Sequence, residues 1–227
     1  LLAGWRTAFL TSTKLLQEQY TRDMAPAGMV DVRGQGSYEC LAFHDEHKKL
    51  RDKAYHGCDD GPCRAGLVCS RKPLPDELDV MKGCLSYDAI ATARRSRLVV
   101  TNYKYWFNAN RFTPSLGRFD CLVLDEAHHA PTELADFLST NLQPLDTQLL
   151  GSAGPGDSAD PHVWAGWAKA HIAPVNRALD TKPQSRADLR KYRQLKRIAQ
   201  KLGTLAEMQD GEWVVQRHGE AWHFDPV

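Results

Sequence analysis

The chain reads as an α/β protein built on a parallel sheet, and three features of the sequence lead there. Short apolar runs alternate with stretches of helical period along the first 130 residues. Two of those runs, Leu98-Val-Val and Cys121-Leu-Val-Leu124, are continuously apolar rather than alternating, as in strands covered on both faces. The second run ends in Asp125-Glu126, and strand ends are where such sheets collect functional carboxylates.

Residues 6–12 read as a short buried strand, followed by a helix over 13–20 with Ser12 or Thr13 as its N-cap. Ala25-Pro-Ala-Gly28 breaks that helix. From 33 to about 84 the pattern is irregular and rich in Gly, Cys and charge, with Pro73 and Pro75 denying a long helix. This stretch is too poor in apolar residues to close a core alone, so something must staple it. Residues 87–95 read as helix, 97–101 as strand, 103–110 as helix and 119–124 as a second buried strand. A loop rich in Gly, Ser, Asp and Pro over 151–161 precedes two helices, near 161–179 and 185–208. The later helix has Leu189, Tyr192, Leu195, Ile198, Leu202 and Leu205 at helical spacing. Residues 212–216 and 221–224 read as strands returning the chain to a sheet.

With 227 residues, 42% apolar and 25% charged, the composition is that of an ordinary globular protein. A net charge of +1 excludes a global basic field, so any affinity for nucleic acid must come from local patches. No apolar run approaches membrane-spanning length, and the first residues lack the pattern of a signal peptide. The expected setting is cytoplasmic. Because the chain opens at Leu1 within an apolar stretch and closes just past Trp222-His-Phe224, it is expected to be a piece of a longer protein.

Five of the six cysteines, Cys40, Cys58, Cys63, Cys69 and Cys84, fall within 45 residues. An odd number without a secretion signal points to metal rather than disulfides. Gaps of 17, 4, 5 and 14 residues separate them in order. Cys121, alone in an apolar strand, is expected to be a small buried residue.

The sharpest motif is Leu122-Val-Leu-Asp125-Glu126-Ala127-His128. One carboxylate of such a pair can hold a magnesium ion on nucleotide phosphates while the other deprotonates the attacking water. By position Asp125 is the magnesium partner and Glu126 the base, with His128 just beyond them. The bland alternative is that the pair merely ends a strand and caps a helix.

The Asp-Glu-Ala-His string resembles the DEAH box of superfamily 2 helicases, and four further strings extend the resemblance in order. Thr11-Ser-Thr-Lys-Leu-Leu-Gln-Glu-Gln19 resembles motif Ia of the DinG/XPD branch. Arg33-Gly-Gln-Gly-Ser-Tyr-Glu-Cys40 resembles the lead-in to that branch's first iron–sulfur cysteine, and Cys84-Leu-Ser-Tyr-Asp-Ala-Ile-Ala-Thr-Ala-Arg94 the segment that opens at its last. Leu98-Val-Val-Thr-Asn-Tyr103 resembles the strand and turn that follow.

The resemblance implies part of a RecA-like P-loop NTPase lobe at 1–32 and 87–130, interrupted by a cluster-binding insertion at 33–86. Residues 131–210 fit an α-helical arch-like insertion, and 211–227 a return to the first lobe. It also implies a [4Fe–4S] cluster, Mg²⁺ and ATP, with single-stranded and forked DNA as partners and the remaining helicase lobe elsewhere in the protein. Activity would be ATP-driven 5′-to-3′ translocation and unwinding, in the nucleoid of a bacterial or phage-infected cell.

Flanking residues nominate Cys40 and Cys84 as cluster ligands. Gly61-Pro62 and Gly66 allow tight turns around Cys63 and Cys69, which complete the set, with Cys58 as the alternative ligand. Zinc is the rival metal, since four thiolates suit it equally.

Thr11, Ser12, Thr13 and Lys14, at a strand end and helix start, are placed to receive a DNA phosphate, and Arg33 joins them. Lys48, Lys49, Arg51 and Lys53 interleave with Tyr38, Phe43 and Tyr55, a pattern suited to single strands. Arg186, Arg190, Arg193 and Arg197 recur every three or four residues and are expected to form one stripe facing away from the apolar side. No Gly-Lys-Ser/Thr phosphate loop occurs in the 227 residues, so this piece alone is expected not to hydrolyse ATP. The competing reading is a metal-stapled nucleic-acid-binding module without motor activity.

Overall fold

The computed structural model describes residues 4–50, 57–110, 114–208 and 211–227. It divides into two compact units, Leu1–Leu134 and Ala135–Val227.

The first unit is α/β with an all-parallel sheet. Strands β1 (Thr7–Thr11), β2 (Met29–Asp31), β3 (Leu98–Asn102) and β4 (Cys121–Leu124) stand in the order β2-β3-β1-β4. Helix α1 (Lys14–Asp23) links β1 to β2. A long segment holding the short helix α2 (Ala42–Asp45) leads to α3 (Leu85–Arg95), and α4 (Tyr103–Asn110) follows β3. Central β1 and β3 are almost wholly buried, with Ala8, Val99 and Val100 fully so. Strand β2, only three residues long, was hidden in the sequence behind the Pro-Gly break that precedes it.

Strand β4 departs from expectation. Its burial alternates, leaving Leu122 47% and Leu124 45% exposed and Cys121 only half-buried. Among the described residues it is an edge strand paired only with β1, and the alternation shows that one of its faces is uncovered.

Arg6 sets the start of β1. Its guanidinium donates to the carbonyls of Ala93, Ser96, Leu116 and Arg118 at 2.6–3.0 Å and lies 3.9 Å over the Phe119 ring. A cation at the carbonyl end of α3 is favoured by the helix dipole and closes carbonyls the helix leaves open. Gln17 ties α1 to the end of β2. Fully buried, it donates to the Val32 carbonyl at 2.9 Å and to the Asp31 carboxylate.

Among the described residues between β2 and α3 there is little regular structure: α2 and isolated single turns, as the sequence predicts. Ala42, Phe43, Leu50 and Ala65 are buried here beside Cys40 and Cys58.

The second unit comprises the end of α5 (Ala130–Leu138), then β5 (Thr140–Leu142), α6 (Pro144–Leu150), α7 (Pro161–Asp180), α8 (Arg186–Ala206), β6 (Trp213–His218) and β7 (Ala221–Pro226). Its strands form an antiparallel sheet in the order β5-β7-β6. The expected return of 211–227 to the first lobe is thereby corrected. Asn141 pairs with His223 and Val215 with Phe224, so β6 and β7 form a hairpin that extends from β5 and adds nothing to the parallel sheet. The core is aromatic, with Trp164, buried completely, against Trp222 and Phe224 at 5.0 Å each. Among the described residues no helix is long and apolar enough to cross a membrane.

Candidate functional site

Two places in the first unit concentrate chemistry. The first is the carboxyl edge of the sheet, where β1 and β4 end side by side with Leu10 opposite Leu124. The ladder runs one step further, because the Asp125 amide donates to the Leu10 carbonyl at 2.9 Å. The chain then turns sharply. Glu126 adopts φ 50 and ψ 49, and it is the one non-glycine residue with positive φ among the described residues. For a residue with a Cβ this conformation costs about 1–3 kcal/mol and is tolerated where surrounding contacts impose it.

One such contact is on the page. The Ser12 hydroxyl, just past the end of β1, donates to Glu126 Oε2 at 2.5 Å. Glu126 makes no side-chain cap to the turn that follows, so the bland role of helix capping is not what its carboxylate performs. Two tyrosines frame Asp125. Tyr103 Oη donates to the Asp125 carbonyl at 2.9 Å, and the Tyr20 hydroxyl bonds the Asp125 carboxylate. Burial, then the negative charge of Asp125, pushes both phenols above their ordinary pKa, so each stays a proton donor at neutral pH. Asp125 itself is half-buried, an oxygen ligand of the kind a hard divalent cation takes. His128 is exposed, its ring 4.1 Å from that of His129.

The structure brings the turn at 11–14 onto the acidic pair, but gives its hydroxyls internal partners. Thr11, buried, donates to the Thr13 carbonyl at 3.1 Å, and Thr13 Oγ1 caps α1 by accepting from the Leu16 amide at 3.2 Å. Lys14 is exposed. Arg33 is held by Asp31 at 2.6 Å and Glu18 at 3.0 Å. Gln17, Tyr20, Tyr103 and the Ser12–Glu126 bond were missed in the sequence. An aromatic residue just past an apolar strand is the signal that could have flagged Tyr103.

The second place is a small cavity lined by all five clustered cysteines, together with Gln35, Leu41, Ala42, Arg71 and Tyr87. Three of the sulfurs share one local design. Backbone amides two and three residues onward bond to the sulfur: Ala42 and Phe43 to Cys40, Arg71 and Lys72 to Cys69, Ser86 and Tyr87 to Cys84. Donors aimed at sulfur favour the thiolate, the form that binds metal. Cys58 also bonds Cys40 and Cys84, and chiefly for that reason their pKa values fall to about 7 and about 6. The same bonds, then burial, push Cys58 far up, while burial raises Cys63 to about 11 and also raises Cys69.

Four or five thiols converging on one pocket, three with preset amide donors, fit a thiolate-bound metal centre. As the side chains stand, no three His, Cys, Asp or Glu groups among the described residues sit close enough to share a single ion. Two of the sulfurs are instead hydrogen-bonded to Cys58.

The surfaces proposed for single strands fare unevenly. Phe43 is core and the Tyr38 hydroxyl accepts from the Arg33 amide at 3.0 Å, so neither aromatic is presented for stacking. Arg51, Lys53 and Tyr55 lie outside the described residues, and Lys48 and Lys49 are exposed. On α8, Arg186, Arg190 and Arg197 are exposed but Arg193 is buried, which corrects the single outward stripe. Arg193 stands one helical turn beyond buried Leu189, at the margin of the apolar face.

Compared with known proteins, the chain matches no protein-family model and no characterised sequence at significant similarity.

Proposed function

We propose that this chain carries the magnesium- and water-handling half of the ATPase site of a DNA helicase of the DinG/XPD kind, on part of a RecA-like lobe, with a [4Fe–4S] centre held by its cysteine-rich segment. What supports this most is one observation: the adjacent carboxylates of Asp125 and Glu126 leave the carboxyl edge of an all-parallel sheet, with Glu126 in a left-handed turn and bonded by Ser12, just past the end of β1.

In this reading Asp125 offers its carboxylate to magnesium, which when bound would neutralise charge on the nucleotide phosphates. Glu126 takes a proton from the water whose oxygen attacks the γ-phosphorus as the bond to the β-phosphate oxygen breaks. The strained turn fixes the carboxylate before substrate arrives, and preset geometry lowers the barrier more than a flexible group could. Tyr20 and Tyr103 hold Asp125 in place. Ser12 belongs both to this site and to the turn expected to meet DNA phosphate, which gives the two ligands a shared side chain. The cysteine segment supplies a rigid element beside the strand path, made so by metal that closes its loops. The phosphate loop and second lobe would come from the rest of the protein.

The test is Glu126→Gln in the whole helicase. Loss of a general base lowers turnover by roughly 10²–10⁴-fold, and ATP binding should persist. Unchanged hydrolysis would remove Glu126 from this role.

A further inference from the structure

Glu126 is gripped from several sides at once. Ser12 bonds its carboxylate at 2.5 Å, and its own carbonyl accepts from the His129 amide at 2.8 Å. Tyr103 acts one bond further back: its hydroxyl donates at 2.9 Å to the Asp125 carbonyl, the oxygen of the peptide bond that enters Glu126. We propose that Tyr103 is a positioning residue for Glu126, fixing the plane of the 125–126 peptide so that the carboxylate stays aimed where the attacking water would stand. This rests on the ATPase reading above and adds to it the side chain that orients the base from its backbone.

The first ground is leverage. A peptide group is planar, so it swings as one body, changing ψ of residue 125 and φ of residue 126 together. Such a swing is what would carry Glu126 from φ 50 back to the negative region that a residue with a Cβ prefers. Residue 125 is held against it at both ends. Its amide is committed to the Leu10 carbonyl of β1 at 2.9 Å, and its carbonyl to Tyr103. Ser12 holds the tip of the side chain and Tyr103 its root, and the strained turn needs both.

The second ground is that Tyr103 can bear the load. It is 1% exposed, packed with Ala8 and Leu10 of β1 and against Trp106, Phe119 and Ala130. Its backbone is pinned too, because it opens α4 directly after β3, where Asn102 Oδ1 accepts from the Tyr105 amide at 2.8 Å. A ring packed on all sides sits in one rotamer, and its hydroxyl can hold a carbonyl at a fixed place. The hydroxyl touches backbone only, so its effect on chemistry passes through Glu126.

The test pairs kinetics of the whole protein with unfolding of the 227-residue chain. Tyr103→Phe keeps the ring and removes the hydroxyl. In the whole protein it should lower kcat for ATP hydrolysis roughly 10- to 100-fold, as a misplaced group does, with KM for ATP unchanged. In the chain, a double-mutant cycle with Glu126→Gly reads the clamp itself. Glycine carries no strain at positive φ, so Tyr103→Phe should lower the urea midpoint of the first unit more when residue 126 is Gly than when it is Glu, where released strain offsets the lost bond. Equal midpoint shifts in the two backgrounds would overturn the clamp. So would a Tyr103→Phe protein with unchanged kcat, or one whose KM rises as its kcat falls, while Glu126→Gln abolishes hydrolysis; the ATPase reading would then stand without Tyr103. Hydrolysis that survives Glu126→Gln removes that reading and this inference together.

Discussion

Residues 33–84 and residues 135–227 hold their chains in place by different means. The second unit relies on burial: Trp164 sits among Trp167, Trp222 and Phe224, and Ile198, Leu202 and Leu205 of α8 close the layer. Its indoles also have partners, Trp164 Nε1 donating to the Ser158 carbonyl at 2.7 Å and Trp167 Nε1 to Ser152 at 2.9 Å. Among its described residues the cysteine segment has no strand of more than a single bridge and few buried apolar side chains. Polar clips hold it instead: Arg71 to Asp45 at 2.5 Å, Ser70 to Glu46 at 2.8 Å, His47 to the Val68 carbonyl at 2.6 Å. Such clips are solvated and individually weak. One region gains its stability from area removed from water, and on the proposed reading the other would gain it from metal held by its sulfurs.

The comparison breaks most visibly on metal removal. In the reconstituted chain, stripping iron under denaturant-free conditions should expose residues 57–84 to protease, with cleavage at least tenfold faster. Four of the six tryptophans lie in the second unit, so its fluorescence should hardly move. A large fluorescence change on stripping would mean that the two units do not draw on separate sources of stability. The converse is Trp164→Ala. Truncating a fully buried tryptophan costs about 3–5 kcal/mol, which thermal melting of the second unit would register while iron content stays constant.

How far the sequence disclosed these differences depends on which interactions were local. The apolar spacing of α8 and the Gly-Cys irregularity of 33–84 could both be read directly. So could the Thr13 cap and the Asp-Glu strand end, since each depends on neighbours within a few positions. Pairings over long distances could not. Nothing near Gln17 announces that its amide will reach Val32, and nothing near Ser12 points to Glu126, 114 residues away. The strands read at 212–216 and 221–224 are present but belong to another sheet than expected, because periodicity gives strand character and never the partner. Arg193 was misjudged for a related reason: a helical wheel locates its face, but the position of the neighbouring elements decides how far burial extends.

Two buried polar contacts in the first unit offer intermediate effects. Gln17→Ala leaves the Asp31 carboxylate, already desolvated, without its amide donor. The carboxylate keeps Arg33 as its partner, so the loss is that of one hydrogen bond to a charged group, about 1.5–3 kcal/mol, measurable by urea unfolding of the first unit. Ser12→Ala removes a hydrogen bond to a charged acceptor and also frees Glu126 from its left-handed turn. Because relaxed strain offsets the lost bond, stability should change by less than about 1 kcal/mol. If the proposed ATPase reading holds, hydrolysis by the whole protein should fall more than nucleotide binding. Equal losses in both would argue that Ser12 serves only the fold.

The smallest effect belongs to the start of α8 and tests whether the second unit depends on more than its core. Ser185 Oγ accepts from the Asp188 amide at 3.1 Å, and Asp188 returns a carboxylate to the Ser185 amide at 2.9 Å, a reciprocal capping box. Ser185→Ala should cost about 1 kcal/mol, seen in melting of the second unit with iron content unchanged. Acid should erase part of the same contribution. The hydrogen bond from Ser185 and the other donors at this helix start hold the Asp188 carboxyl below its usual range. A carboxyl whose pKa is depressed on folding contributes fully at neutral pH, and loses that contribution as pH falls through the ordinary carboxylate range to the depressed value. Asp188→Asn should therefore flatten the acid limb of the second unit's stability curve and leave its alkaline limb alone. An unaltered acid limb would show that the helix start adds nothing the tryptophan core does not already supply.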